Sequence, residues 1–342
     1  MLPVPGSIYA KIIWGFLAEL CLERELEIND AQILRGLEQR GGPAPVWLRG
    51  NLHTHTNASD GDSPPLEVAR WYADNGYDFL VITDHNVRTS TSELQRALDN
   101  EGRRLLLIPG EELTAWWTGS GWTRALHVGG IDTTITLGPA DGKTIPAVLQ
   151  TMIDRVLENG GVPSLNHPNF WDSVSADDIL QLERLSHFEI FNGHPAAANG
   201  GSDRLPPLEA TWDLLLTKGK RMFGLAVDDA HDFLVWGEEH RNPGRGWVAV
   251  ESPSRQVGAV MDAIVEGGFF ASTGPSLTLV MEEMGRLRVE TSTPGLIEFI
   301  SGGKVVEELA GEAGSCPVPG GGYLRARVTN HLGMAWSQPA FA

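Results

Sequence analysis

Short apolar runs alternate with amphipathic segments between Trp47 and Val250, and this alternation is the first structural signal in the chain. The apolar runs are nearly continuous, which is typical of strands in a parallel sheet that is buried on both faces. The pattern predicts seven strands at Leu48–His53, Phe79–Thr83, Leu105–Ile108, Leu126–Ile131, Val162–Leu165, His187–Phe191 and Met222–Val227.

Helical segments with recognisable start and stop signals lie between these strands. A serine before the first segment, prolines in its first turn and glycines after the last turns are typical of helix boundaries. A strand and a helix repeated about seven times predict an α/β fold, either a barrel or a doubly wound sheet. The predicted helices are Ser63–Gly76, Thr144–Glu158, Leu208–Lys218 and Ser254–Glu266.

The two ends of the chain have a different pattern of residues. Beyond Gly274, strand-like runs are separated by glycine-rich turns, which predicts a small antiparallel, β-sandwich-like module. Near the N-terminus, apolar residues from Ile8 to Leu22 recur at helical spacing and predict a helix that packs on the body or on a second subunit of a homo-oligomer. The predicted domains are a helical extension over 1–46, a main domain over 47–274 and the β module over 275–342.

Charge narrows the expected partners. The chain has 342 residues, with 26 Lys and Arg against 44 Asp and Glu, which gives a net charge of −18. Such an acidic surface repels phosphate backbones unless a basic groove or bound metal offsets it, so we expect long nucleic acid not to be the main partner. The apolar stretch near the N-terminus is too short to span a bilayer comfortably, so we expect a cytoplasmic protein with no membrane partner.

Metal-capable side chains follow nearly every predicted strand. Residues two apart on a strand point to the same side, so His53 and His55 can face one point. Ligands at the carboxyl ends of successive parallel strands converge in a barrel and diverge in an open sheet, which favours the barrel. The other positions are Asp60, Asp84, His85, Glu111, Glu112, His127, His167, Asp228, Asp229 and His231.

A shared metal site explains this pattern better than unrelated buried histidines do. One histidine after a strand is more often a buried, hydrogen-bonded residue than a ligand. A whole series of ionisable groups at repeated strand ends would be costly to bury without partners. Histidine and carboxylate ligands in these numbers suit two or three divalent cations such as Zn²⁺, Mn²⁺ or Fe²⁺.

Six short motifs between about Trp47 and Gly274 carry a family resemblance. They are Gly50–Thr56, Ser59–Gly61, Ile82–Asn86, Gly110–Glu112, His167-Pro168 and Asp229–His231. Together they resemble the PHP (polymerase and histidinol phosphatase) superfamily, which implies a distorted (β/α)7 barrel with a trinuclear metal site. The resemblance nominates His53, His55, Asp60, His85, Glu112, His127, His167, Asp229 and His231 as ligands.

Two of these ligands have an acidic neighbour. Glu112 is preferred to Glu111 because the family pattern is glycine, any residue, then glutamate. Asp229 is preferred to Asp228 because its spacing to His231 matches the pattern.

A narrower likeness extends to the C-terminus. Asp228–His231, Gly244–Val248, Gly267–Pro275 and Ala335–Pro339 resemble a branch of the superfamily that includes a carbaryl hydrolase, in which a small β module follows the barrel. The substrate does not transfer with this likeness.

The resemblance and the ligand set imply a metal-dependent hydrolase. A metal-bridged hydroxide and a cationic pocket favour a phosphoesterase that acts on a small phosphomonoester or phosphodiester. Two alternatives stay open: a metallohydrolase of a carboxylic ester, carbamate or amide, and a non-catalytic metal-binding module. The complete ligand set argues against the latter.

Candidates for the remaining roles are fewer. Asp229 and His194 are the candidate catalytic residues, and Arg88 and His194 are the candidate substrate contacts. A solvated Arg88 and a loop His194 with neither role are equally open. Trp116, Trp117 and Trp122 flank the turn between the third and fourth strands, where packing is favoured over a lid beside the substrate.

Overall fold

A computed structural model describes residues 46–119 and 121–342 of the chain. The helix predicted between Ile8 and Leu22 therefore lies outside the described residues. Among the described helices, none has both the length and the apolar character needed to cross a membrane.

All seven predicted strands are present, with bounds that differ from the prediction by a few residues at most sites. All four side chains of the second strand are buried, as its continuous apolar run predicts. The strands are β1 (Val46–Asn51), β2 (Phe79–Ile82), β3 (Leu106–Gly119), β4 (Trp122–Ile131), β5 (Val162–Leu165), β6 (His187–Asn192) and β7 (Phe223–Val227).

Six α-helices lie between and after these strands in the described part of the chain. They are α1 (Pro65–Asp74), α2 (Thr91–Asn100), α3 (Ile145–Glu158), α4 (Ala176–Leu180), α5 (Leu208–Thr217) and α6 (Val257–Glu266). At the start of α3, the Thr144 hydroxyl accepts a hydrogen bond from the Ala147 amide at 3.3 Å. The sequence analysis did not predict α2, which has few apolar residues and only Leu98 buried.

The strand directions differ from the prediction in the middle of the sheet. β1, β2 and β3 are parallel, as are β5, β6 and β7, but β4 is antiparallel to both β3 and β5. Gly119 pairs with Trp122 at the tip of the β3–β4 hairpin, which leaves no room for the crossover that a parallel strand requires. The expectation of seven parallel strands was therefore wrong at β4.

Eight further strands complete the chain: β8 (Trp247–Ser252), β9 (Phe269–Ser272), β10 (Leu277–Glu283), β11 (Arg286–Ser301), β12 (Lys304–Pro317), β13 (Tyr323–Asn330), β14 (Gly333–Ser337) and β15 (Ala340–Phe341). The strands β10 to β14 pair antiparallel, as the glycine-rich tail predicted. β14 also pairs with β9, so the predicted boundary at residue 274 lies inside a continuous sheet. The division into a main domain and a separate module at 275–342 stays a prediction.

The described strands form one mixed sheet, and it is open. Its main path runs β10-β11-β13-β14-β9-β8-β1-β2-β3-β4-β5-β6-β7, with β12 paired to β11 and β15 paired to β13. The α/β class is confirmed, whereas the closed (β/α)7 barrel is not. Because β1 to β3 and β5 to β7 all point the same way, their carboxyl ends share one edge, and the candidate site lies there.

Candidate metal centre

A cluster of imidazoles and carboxylates lies at this shared edge. Within the described residues, four overlapping groups of side chains have ligand atoms that lie within 4.8 Å of one another. These groups bring together all nine of the predicted ligands, namely His53, His55, Asp60, His85, Glu112, His127, His167, Asp229 and His231.

Glu112 is at the centre of one side of the cluster. Its Oε1 atom lies 2.9 Å from His127 Nδ1 and 3.2 Å from His167 Nε2. Its Oε2 atom lies 2.9 Å from His85 Nδ1. One carboxylate on β3 thus contacts rings from β4 and from the segments after β2 and β5.

Asp229 holds the other side of the cluster. Its Oδ1 atom lies 3.2 Å from the Nε2 atoms of both His53 and His55. Asp229 follows β7 with a φ of 50°, a left-handed conformation that aspartate tolerates better than most residues. Its amide donates to the carbonyl of His53 at 2.9 Å, so the β1 and β7 segments fix each other.

Asp60 lies on the outer side of the cluster and is 49% exposed, in contrast to the buried Glu112 and Asp229. Its Oδ1 atom lies 3.3 Å from His231 Nε2 and 3.6 Å from His55 Nδ1. This corner of the cluster therefore opens to solvent.

The hydrogen bonds behind the rings show that the cluster suits cations. His53 Nδ1 donates to Glu189 Oε1 at 2.7 Å, and His231 Nδ1 donates to the Asp229 carbonyl at 2.8 Å. In the neutral tautomers that these bonds select, both Nε2 atoms are acceptors and face carboxylate oxygens at 3.2 to 3.3 Å. Lone pairs that face each other at such distances require positive charge between them.

One buried atom at the centre of the cluster, His127 Nε2, has no hydrogen-bonding partner. Buried polar atoms are almost always hydrogen-bonded in folded proteins, so unpartnered ones require an explanation. Nitrogen and oxygen donors of this kind match Zn²⁺, Mn²⁺ or Fe²⁺, and the residues fit a site for divalent cations.

The electrostatic environment of His55, Glu112 and Asp229 favours the protonation states that bind metal ions. Burial, together with the neighbouring His231, lowers the pKa of His55 to about 3. Burial would raise the pKa of Glu112 and of Asp229, but the surrounding histidines hold both well below their usual range. Neutral imidazole and ionised carboxylate are the forms that bind metal ions.

His53 and His85 behave differently in the absence of a cation. Burial lowers the pKa of each, but the carboxylates Asp229 and Glu112 outweigh burial and raise it, in His85 to about 9. Protons on these rings thus supply the positive charge that a bound cation would otherwise supply.

The sequence did not predict Glu189, which supports the cluster from behind. This buried residue of β6 binds His53 Nδ1 through Oε1. Its Oε2 accepts from the His167 amide at 2.7 Å and from Asn192 Nδ2 at 2.8 Å. A glutamate between the apolar residues Phe188 and Ile190 was the signal that would have identified it.

The acidic neighbours of the predicted ligands are engaged elsewhere. Glu111 Oε1 accepts from the Leu137 amide at 2.5 Å, since adjacent residues of β3 point to opposite sides. Asp228 accepts from the Tyr72 hydroxyl at 2.8 Å and from the Arg245 amide at 2.6 Å. Only Glu112 and Asp229 of each pair contact the histidine cluster.

Asp84 contacts the loop that carries the ligands rather than a ligand ring. Its carboxylate accepts from the Thr56 amide at 2.8 Å and from the hydroxyls of Ser59 at 2.9 Å and Thr89 at 2.7 Å. Asp84 therefore fixes the segment between His55 and Asp60.

The cluster forms the floor of a cleft of about 420 Å³. Besides ligand residues, its walls contain Trp116, Phe170, Trp171, His194 and Arg241. Such a volume is in the range of sites that bind small molecules.

His194 lines the cleft, where the sequence predicted a substrate or catalytic role. Its Nδ1 accepts from the Ala196 amide at 3.0 Å, so the hydrogen of the neutral ring is on Nε2. Burial lowers the pKa of His194 to about 4, and the ring is neutral at pH 7. His194 can therefore donate a hydrogen bond without carrying charge.

Arg88 is not part of the cleft wall. Its Nε donates to the Thr133 carbonyl at 2.6 Å. The arginine that does line the cleft is Arg241, which lies in the segment after β7 with Nη1 3.8 Å from Asp60 Oδ2. Sequence reasoning missed Arg241 because no motif or strand marks its position.

No family model matches the chain. The 5′-3′ exoribonuclease Rnm of Escherichia coli K12 is 30% identical over 86 residues, which are 25% of this chain and 28% of that protein. Rnm of Salmonella typhimurium LT2 is 29% identical over 82 residues, which are 24% and 27% of the two chains. The chain thus spans about a quarter of the length of the curated relatives it matches.

A solved structure matches over most of the chain. It is a two-domain protein from Bacteroides vulgatus ATCC 8482 that contains a predicted PHP-like metal-dependent phosphoesterase, with a TM-score of 0.50 and 16% identity over 87% of this chain and 97% of that chain. The chain has a PHP-like fold. The predicted resemblance is thus confirmed at the level of the fold, and the likeness to the carbaryl hydrolase branch stays a prediction.

The prediction about nucleic acid was wrong. The relatives matched in sequence are exoribonucleases, so nucleic acid is not excluded as a partner. The net charge of −18 averages over the whole chain, whereas a substrate meets the local field of the cleft. There, bound cations would offset the three ligand carboxylates, and Arg241 adds positive charge.

Proposed function

We propose that this chain is a metal-dependent hydrolase of phosphoesters. The observation that carries the proposal is the buried cluster in which imidazole and carboxylate lone pairs face one another, at the floor of an open cleft. The PHP-like fold supports it, since the matching solved structure contains a predicted metal-dependent phosphoesterase.

The nine clustered residues are the proposed metal ligands. One group consists of His55, Asp60, His85 and His231, and the other three groups add His53, Glu112, His127, His167 and Asp229. Bound divalent cations would lower the pKa of water and polarise a phosphoryl oxygen. The overlap of the groups accommodates two or three cations, as the superfamily resemblance implies.

The residues of the chain then have separate roles. Asp229 is held ionised and buried, so it can orient the attacking water and accept its proton. His194 offers its Nε2 hydrogen to a phosphoryl or leaving-group oxygen. Arg241 carries the positive charge that can contact the phosphate at the mouth of the cleft, the role first expected of Arg88.

Two classes of phosphoester fit the cleft: a small phosphomonoester or phosphodiester, and the 5′ end of a nucleic acid chain. The volume of about 420 Å³ accommodates the former. The exoribonuclease activity named for the matched relatives makes the latter an equal candidate.

Parallel assays of bond type test the proposal. We expect p-nitrophenyl phosphate or bis(p-nitrophenyl) phosphate to be hydrolysed with Mn²⁺, Zn²⁺ or Fe²⁺, and p-nitrophenyl acetate to be hydrolysed more slowly. Asp229→Ala should abolish turnover, whereas Asp141→Ala, at an exposed position, should not change it. Turnover of the acetate alone would support the carboxylic ester alternative, and turnover of none would support a non-catalytic metal-binding module.

A further inference from the structure

Two exposed tryptophans lie next to each other in the wall of the cleft. Trp116 is 59% exposed and Trp171 is 61% exposed, and both line the cleft. Their ring centroids lie 6.3 Å apart with an angle of 39° between the rings. Large aromatic side chains are usually mostly buried, so a pair exposed beside a polar cluster indicates a surface that binds a ligand.

Strand geometry positions Trp116. Glu112, Thr114 and Trp116 alternate along β3, so the indole is on the face that carries the metal ligand. The residue opposite Trp116 on β4 is Ala125, which has only a methyl group. Because the cross-strand neighbour is so small, the indole face next to the cleft stays uncovered.

Backbone conformation positions Trp171. It has φ 50° and ψ 35°, which is uncommon for a residue other than glycine and persists only where the surroundings fix it. Here Arg124 Nη1 donates to the carbonyl of Asp172 at 2.5 Å and ties the turn to β4. The indole stacks on Phe170 with centroids 4.8 Å apart. Trp171 is thus held in place although it is exposed.

The aromatic side chains Phe170, Trp171 and Trp116 lie directly beside the ligand cluster. The Phe170 ring lies 5.1 Å from the ring of His167 and 5.4 Å from the ring of His194. A phosphoester with its phosphate at the cluster would therefore place its adjoining group against Phe170, Trp171 and Trp116.

We propose that Trp116 and Trp171 form a stacking subsite for the nucleobase of a phosphoester substrate. The inference rests on the proposed function, which places the phosphate at the metal ligands. Indole faces stack on any base, and such stacking typically contributes about tenfold or more in affinity per base. An aliphatic phosphoester would gain little from two flat rings, so the subsite selects nucleotides over phosphates without a base.

Binding measured without turnover tests the subsite. Protein loaded with Mn²⁺ is titrated by calorimetry with adenosine 5′-monophosphate and with ribose 5-phosphate, which lacks the base. We expect the nucleotide to bind roughly tenfold more tightly. Trp171→Ala and Trp116→Ala should each reduce this ratio towards one, and Trp171→Phe should retain most of it.

Trp236→Ala is the matched control, because Trp236 is 54% exposed but is not part of the cleft wall. It should leave the ratio unchanged. Equal binding of the two ligands by the wild type, or a ratio unaffected in both alanine variants, would overturn the subsite. If the base preference holds but no phosphoester is hydrolysed, the proposed function fails and the subsite stands.

A 5′-phosphorylated trinucleotide distinguishes the two sources of the base. Binding tighter than that of adenosine 5′-monophosphate assigns the subsite to the end of a nucleic acid chain. Equal or weaker binding assigns it to a free nucleotide.

Discussion

Two buried clusters of charged groups in this chain differ in how their charges are matched. Around Arg325, which is 1% exposed, opposite charges meet: Nε and Nη2 each donate to an oxygen of Asp213 at 2.8 Å, and the Tyr323 hydroxyl donates to Asp213 at 2.7 Å. Arg325 Nη1 lies 2.9 Å from Glu209 Oε1. In the cleft, by contrast, the buried carboxylates of Glu112 and Asp229 contact only histidine rings among the basic side chains of the described residues. His127 Nε2 is buried there without a partner.

This contrast separates a structural cluster from a binding site. The Arg325 cluster connects β13 to α5 and needs no further ligand. The histidine cluster is incomplete without added positive charge. A buried charge alone is therefore weak evidence for function, and unmatched buried lone pairs are stronger evidence.

The largest expected effect comes from removing a ligand in the cleft. Asp229→Asn and His55→Ala should each lower kcat/KM for the phosphoester by on the order of 10³-fold or more, because groups that act as a unit fail together. The circular dichroism spectrum should stay that of the wild type. Activity within tenfold of the wild type in either variant would contradict the assignment of the cluster.

The same kind of change in the structural cluster should affect stability instead. Asp213→Asn removes the carboxylate that pairs with two nitrogens of the buried Arg325 and should cost about 3–5 kcal/mol in the free energy of unfolding, although Glu209 still faces Nη1. Denaturant unfolding measures this cost, and Asp141→Asn is the exposed control. The folded fraction should keep wild-type kcat, and a loss of kcat with unchanged stability would reverse the comparison.

Metal ions should raise the free energy of unfolding by binding to the histidine cluster and not to the Arg325 cluster. A cation at about 100 times its dissociation constant should add about 2.7 kcal/mol to the unfolding free energy of the wild type. The Asp213→Asn variant should gain the same increment, and Asp229→Ala should gain much less. Equal gains in all three proteins would show that the cations bind elsewhere.

A smaller effect on metal affinity or activity is expected from Glu189, which lies behind the histidine cluster. Glu189→Gln weakens the charge that orients His53, and such supporting residues typically change metal affinity or activity by about 10–100-fold. Metal titration of the variant measures the affinity directly. A change of less than twofold would mean that the Asn192 and His167 contacts of Glu189 are purely structural.

Local patterns in the sequence predicted the parts of the site that depend on single strands. His53 and His55 follow from alternation on β1, and Glu112 follows from the motif after the third apolar run. β4 is antiparallel to β3 and not parallel as predicted. His127 still contacts the cluster, because it lies in the middle of the strand and its side chain is on the face of the sheet that carries the cluster.

Features that depend on distant pairing were not predictable in this way. The open sheet follows from strand order, which apolar runs do not encode, and β8 and β9 complete it next to β1. Arg241 reaches the cleft through a loop without periodicity. Glu189 becomes recognisable only when the ring of His53 is seen to contact it.

The most direct test of the account is the metal content of the protein. Chain purified without added metal, then incubated with Mn²⁺, Zn²⁺ or Fe²⁺ and dialysed, should retain roughly two or three divalent ions per chain by mass spectrometry. Asp229→Ala should retain fewer, and Asp213→Asn should retain the wild-type number. Less than about half an ion per chain in the folded wild type would contradict the claim that the unmatched cluster is a metal centre.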